Sequence, residues 1–104
     1  MITNAESSMT RAKDILDEVL QERGRQLRKW GNQNHSPQLW AVIEAEEMGE
    51  VAKASLEYVG AAQSGDIDTA YLHLRDYRQE LVQVAAVAVA AIESLDRNEL
   101  CETA

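Results

Sequence analysis

Glu44-Ala45-Glu46-Glu47-Met48-Gly49-Glu50, near the middle of the chain, is the stretch on which the reading of this protein turns. Ser36 and Pro37 precede it, a capping residue followed by proline at the first helical position. Apolar residues then recur at helical spacing. At about 100° per residue, Trp40, Ile43, Glu47, Ala54 and Tyr58 share one narrow arc, with Val51 on one edge and Glu50 on the other. Glu47 therefore sits inside the apolar stripe rather than opposite it. An unpaired charge on a packed face is strongly unfavourable, and like charges one turn apart (Glu47 with Glu50, Glu46 with Glu50) repel further. A divalent cation would remove both penalties, so the stretch predicts half of a metal site carried on a helix.

Working outward, helical signals fill the rest of the chain. Upstream, Thr10 is a candidate N-cap, and Ala12, Ile15, Leu16, Val19, Leu20, Leu27 and Trp30 follow the i, i+3, i+4 rule over about 10–30. Gly31 fits the position just past that helix. Residues 1–8 are polar and are expected to be a flexible end. Arg23, Arg25, Arg28 and Lys29 crowd the last turns of the helix, where they either complement its dipole or grip an anionic ligand. The second helix is expected over 37–59, ended by Gly60, with a connector over 61–66 in which Asp66 caps the next helix. The third spans 67–96, either unbroken or interrupted near Tyr77, and 98–104 reads as a tail. Its second half, Leu81 to Ile92, is apolar all round and should be buried all round. A monomer this small can hardly enclose such a helix, so burial against a second copy is expected.

Composition agrees with an all-α domain. The 104 residues suit a single unit spanning 1–104. Apolar residues make up 45% of the chain, Phe is absent, and there are only 5 Gly and 1 Pro, which favours helix. The net charge of −8 disfavours nucleic-acid backbones as partners and suits metal cations, or polyanions presented with a metal. The longest apolar run, Val84 to Ile92, is far short of the ~20 residues that cross a bilayer, so no membrane partner is expected. Cys101 is the only cysteine and has no internal partner, which makes a reducing cytoplasm the expected compartment.

The third helix supplies the other half of the site. Glu80 shares an arc with Val84, Val87 and Ala91, Gln83 lies one turn further on, and Asp76 lies one turn before. Two helices thus each offer oxygen donors at i, i+3 from apolar stripes, a common way to build a divalent-metal site inside a helical bundle. Mg²⁺ in particular takes a few carboxylates together with substrate phosphates.

The pattern Glu46-Glu47-Met48-Gly49-Glu50 followed by Glu80-Leu81-Val82-Gln83 resembles the E-E-x-x-E … E-x-x-D signature of the MazG-like, all-α nucleoside triphosphate pyrophosphohydrolases. Lys29-Trp30-Gly31, the Trp40 helix, Val84-Ala85-Ala86-Val87 and Ile92-Glu93 are similar to small bacterial and phage members, so the likeness covers about 26–97. Gln83 stands where the family usually has Asp. The resemblance implies a helical bundle of three to four helices, completed as a homodimer or homotetramer. It implies Mg²⁺, or Mn²⁺, held by Glu47, Glu50 and Glu80 with Gln83 at the fourth position, and conversion of (d)NTP and water to (d)NMP and pyrophosphate.

From the chemistry of such a site, Glu46 or Glu50 is the candidate base. Lys29, Lys53 and Arg78 are candidate phosphate contacts, together with Arg75 and the rest of the Arg23–Lys29 cluster. Trp30 is a candidate stacking partner for the base, Trp40 is more at home in the core, and His35 reads as a surface residue. An amide at Gln83 brings no charge and should weaken metal binding. The competing readings are a weakened nucleotide- or metal-binding module of the same fold, and a ligand-free oligomerisation protein.

Overall fold

A computed structural model describes residues 2–100. Three helices follow in order: α1 (Asn4–Trp30), α2 (Pro37–Gln63) and α3 (Ile67–Asn98). The all-α class expected from composition and periodicity is what the chain adopts. α3 is the middle of the arrangement. It packs along most of α2 and against a shorter patch of α1, while α1 and α2 do not pack on each other.

The boundaries differ from expectation in instructive ways. α1 starts at Asn4, not near Thr10, and the expected flexible end over 1–8 is helical from Asn4 onward. Thr3 and Glu6 close a capping box: the Glu6 N–H donates to Thr3 Oγ1 at 3.0 Å and the Thr3 N–H donates to Glu6 Oε2 at 2.9 Å. Thr10 instead bonds back to the Glu6 carbonyl inside the helix. Gly31 does end α1, with φ 68° and its N–H on the Leu27 carbonyl. α2 begins on the Ser36 cap and Pro37 as expected but runs through Gly60 to Gln63. One internal glycine costs a helix only about 1 kcal/mol, too little to end it while Ala61 and Ala62 continue the pattern. The stop is a Schellman motif: Gly65, at φ 81°, donates to the Ala62 carbonyl while Asp66 donates to that of Ala61. Asp66 then caps α3 through the Thr69 N–H and hydroxyl, at 3.1 and 2.7 Å. α3 is a single helix with no break at Tyr77, and it includes Asn98. Of the expected tail, 101–104 lies outside the described residues.

The core is small. Val19, Val82 and Ala86 form one cluster, and Trp40, Val87 and Ala90 another. Only Val19 of the expected apolar stripe of α1 is buried; Leu16 and Leu20 are 65% and 69% exposed. That stripe is in fact two adjacent faces, and α1 reaches α3 with only one of them. The all-round burial expected for Leu81 to Ile92 is likewise absent in the single chain, where Leu81, Val89 and Ile92 are exposed. The molecule is open as a result. Its radius of gyration is 17.2 Å, against about 13 Å for a compact 100-residue domain. Its accessible surface is 7695 Å², where a compact monomer of this mass would expose roughly 5,800 Å². No helix among the described residues is long and apolar enough to cross a membrane.

Candidate functional site

The open architecture leaves a crevice with α3 as its floor, α1 as one wall and α2 as the other. The main cleft, main in that all three helices line it rather than in size, is about 230 Å³ and is lined from α1 by Glu22, Arg25 and Trp30, from α2 by Trp40 and Glu47, and from α3 by Gln83. Each wall reaches the cleft through helical phase. On α2 the arc read from the sequence is the buried one: Trp40, Val51 and Ala54 are buried, Ile43, Glu47 and Tyr58 partly so, and Glu50 is exposed at the edge. On α1, Glu22 and Gln26 continue the face of Ile15 and Val19, which brings two polar residues into the packed seam.

The expected metal ligands are divided between two neighbouring clefts. Glu47 and Gln83 open onto the main one, while Glu50 and Glu80 line a smaller one of about 160 Å³ with Lys53, Glu57, Asp76 and Gln79. The two acidic sets nevertheless feel each other. Burial raises the Glu80 carboxyl above its usual range, and the charges of Glu47, Glu50 and Asp76 raise it further. Glu80 is partly buried, and among the described residues neither it nor Glu47 nor Glu50 has a hydrogen-bond or ion-pair partner. No three Asp, Glu, His or Cys side chains among the described residues converge closely enough to hold a metal ion. The helices thus bring hard oxygen donors into mutual repulsion without drawing three of them together. Such donors suit Mg²⁺ or Mn²⁺, and a cation there would relieve the repulsion that, after burial, raises Glu80.

The other expected residues scatter. Glu46 is exposed and borders neither cleft. Trp30 lines the main cleft, and the Lys29 ammonium lies over its ring at 4.7 Å, a cation–π contact. Lys53 lines the smaller cleft. Arg78 is spent elsewhere, forking onto Glu18 and pinning α1 to α3. His35, expected on the surface, packs edge-on against Trp40 with ring centroids 4.9 Å apart. Its loop is held to the end of α3 by Arg97 and Asn98, both donating to Asn34 Oδ1 at 2.9 Å.

Three features carry weight that the sequence reading did not give them. Glu22 is buried and is gripped by Arg25 and Gln26. Arg23, also buried, donates to Glu93 through Nε and Nη2 at 3.1 and 2.6 Å, tying α1 to α3. Glu44 turns toward an apolar pocket of about 330 Å³ lined by Trp40, Ala41, Ala91, Ile92 and Leu95. Burial and then Glu47 raise its carboxyl, and its Oε1 is buried without a partner. The signal for Glu22 was present: it falls within about 60° of Val19 on the α1 wheel, so the same test that singled out Glu47 would have found it.

Comparison with protein-family models, with curated proteins and with solved structures finds no match to this chain.

Proposed function

We propose that the protein is a metal-dependent nucleoside triphosphate pyrophosphohydrolase of the MazG-like kind. The observation that carries this reading is Glu80: a partly buried carboxyl on α3 in the field of Glu47 and Glu50 on α2, in a cleft neighbouring the one whose α1 wall carries guanidinium groups and an indole. The residues that would hold the cation are Glu47, Glu50 and Glu80, with the amide oxygen of Gln83, and the ion would have to draw them together from the two clefts they line. An ion held there would neutralise triphosphate charge and make water a better nucleophile. The chain's own groups do the rest. Glu50, next to Glu80 in the smaller cleft, is better placed than Glu46 to accept the proton of the attacking water. Trp30, braced by Lys29, offers an apolar face to a base. On the α1 wall of the main cleft stand Arg23, tied to Glu93, and Arg25, so a polyphosphate would meet guanidinium groups there and Glu47 opposite. The test is pyrophosphate release from a panel of natural, deoxy and modified triphosphates with Mg²⁺ or Mn²⁺, lost in Glu47→Gln. No turnover of any member with either ion would sink the assignment.

A specific observation also favours the weaker reading, a nucleotide- or metal-binding module. Gln83 faces the cleft where a fourth carboxylate would complete the set. That reading expects ligand-induced thermal stabilisation without product.

The assembly expected from the sequence belongs to the same proposal. The surface in excess of a compact monomer is roughly 1,900 Å² per chain, more than the ~800 Å² each partner gives to a standard interface and in the range of obligate homodimers. Much of it is the apolar face of α1 (Met9, Leu16, Leu20) and of α3 (Leu74, Leu81, Ile92). The protein should therefore run as a dimer or tetramer on light scattering at micromolar concentration. A clean monomer would remove this part of the proposal.

A further inference from the structure

We propose that Glu22 and Arg25 form a preset anion-gripping arm of the main cleft: the buried Glu22 carboxylate is a positioning residue that aims the Arg25 guanidinium at a phosphoryl group of the ligand. The inference deepens the hydrolase reading and rests on it for the identity of the ligand, a pyrophosphate or longer polyphosphate moiety.

Glu22 is only 8% exposed. Both its oxygens are used: Arg25 Nε donates to Oε1 at 2.9 Å and Nη2 to Oε2 at 2.6 Å, while Gln26 Nε2 reaches Oε2 at 3.3 Å. The Arg25 guanidinium beside it holds the Glu22 carboxyl below its usual range, so the acid stays charged in the seam. Arg25 itself is half out in the solvent, its side chain 49% exposed, and among the described residues its Nη1 has no protein partner. The fork engages one edge of a rigid plane and leaves another edge free, on a residue that lines both the cleft bordered opposite by Glu47 and Gln83 and a second one beside Gln21, Arg28 and Gln79.

Fold maintenance does not account for this pair. An i, i+3 ion pair on one helix contributes a few tenths of a kcal/mol wherever it sits on the surface, and burying one partner adds a desolvation cost that an apolar residue would avoid. The arginines with structural work are different. Arg23 crosses to Glu93 on α3, Arg78 to Glu18 on α1, and Arg97 to the α1–α2 loop. Arg25 ties α1 only to itself. What the buried fork does achieve is to fix a guanidinium, which otherwise has four side-chain torsions to order on binding. A fixed planar donor is what bidentate phosphate recognition needs.

The test is calorimetric titration with inorganic pyrophosphate and tripolyphosphate, each with and without Mg²⁺, on the full chain and on Arg25→Gln, Arg25→Lys, Glu22→Gln and the Glu22→Gln/Arg25→Gln double variant. Arg25→Gln should weaken pyrophosphate binding by roughly 10- to 100-fold, with Arg25→Lys recovering only part because an ammonium cannot offer the planar fork. Glu22→Gln should weaken binding when Arg25 is present and change nothing further when Arg25 is gone, a coupling that a purely structural acid would not show. Melting temperatures identify any variant that has lost its fold, and Arg25→Lys keeps the test open if Glu22→Gln unfolds. If no triphosphate is hydrolysed but Arg25 still governs pyrophosphate affinity, the hydrolase reading falls and the arm stands. If wild-type protein binds neither polyphosphate, or if folded Arg25→Gln binds as well as wild type, the arm is overturned whatever the enzyme assays show.

Discussion

Replacing Glu80 by glutamine should raise the melting temperature of the metal-free protein at neutral pH while erasing both Mg²⁺-dependent stabilisation and triphosphate hydrolysis. The Glu80 carboxyl is raised by burial first, then by Glu47, Glu50 and Asp76. An acid whose folded pKa lies above its unfolded value binds its proton more tightly in the fold. Its unfavourable effect is absent below the ordinary carboxyl value of 4.5, grows as pH rises from there and is complete once pH has passed the folded value. In the metal-free wild type this group therefore removes stability between about that pH and neutrality, and the glutamine variant does not share the loss. Glu44, raised by burial and Glu47, acts in the same direction. Glu22 and Asp66, both lowered by hydrogen-bonded partners, act oppositely, stabilising above their unfolded pKa and losing that contribution as pH falls through the folded one. Neither changes in the variant, so the difference between wild type and Glu80→Gln isolates Glu80. A higher melting temperature at pH 7 without metal is expected, at about 4–8 °C for each kcal/mol relieved in a domain this size. Turnover should fall at least roughly 100-fold, beyond what loss of an outer-shell partner costs a metal site. Equal Mg²⁺ stabilisation of wild type and variant, or a lower metal-free melting temperature for Glu80→Gln, would count against the site.

Trp40→Ala should be the most damaging core substitution. Trp40 is 6% exposed and is the largest side chain joining α2 to α3, packed on Val87 and Ala90 with Ile43 and Ala91 alongside. It also carries the edge contact from His35 and borders both the main cleft and the apolar pocket beside Glu44. Truncating a buried aromatic costs about 3–5 kcal/mol, a large share of the 5–15 kcal/mol that holds a typical domain together. A core of two small clusters offers little with which to refill the cavity. The melting temperature should drop by about 15 °C or more, read by circular dichroism. Trp40→Phe should be much milder. The indole Nε1 is buried without a partner among the described residues, so phenylalanine keeps most of the apolar contact and removes a desolvated donor. A phenylalanine variant as unstable as the alanine one would mean that the Nε1–H has a partner supplied from outside the chain.

How much was legible in advance depends on the length scale of each interaction. The buried face of α2 was readable because the contrast between apolar and polar positions is set within a few turns of one helix, and Glu47 stands out against it. The Gly31 stop and the Ser36–Pro37 start were equally local. The ends of α1 and α2 were not, because two weak signals competed at each. Thr3 with Glu6 outweighs Thr10, and the left-handed Gly65 outweighs a Gly60 that the helix can absorb. The apolar residues of α1 do not mark Glu22, because the seam also buries the polar continuation of the Val19 face.

The chain by itself determined three long helices, the phase of α2 and the presence of oxygen donors at i, i+3 on α2 (Glu47, Glu50) and α3 (Glu80, Gln83), since helix periodicity turns sequence spacing directly into a shared face. Only the tertiary structure decided that α1 meets α3 along one narrow side, that Arg78 is tied to Glu18, that Glu50 and Glu80 share a cleft apart from that of Glu47 and Gln83, and that Arg25, forked onto Glu22, lines the latter cleft from α1. Those outcomes depend on how helices cross. Crossing is set by which side chains interlock at a few contact points far apart in the sequence, and no periodicity along a single helix encodes it.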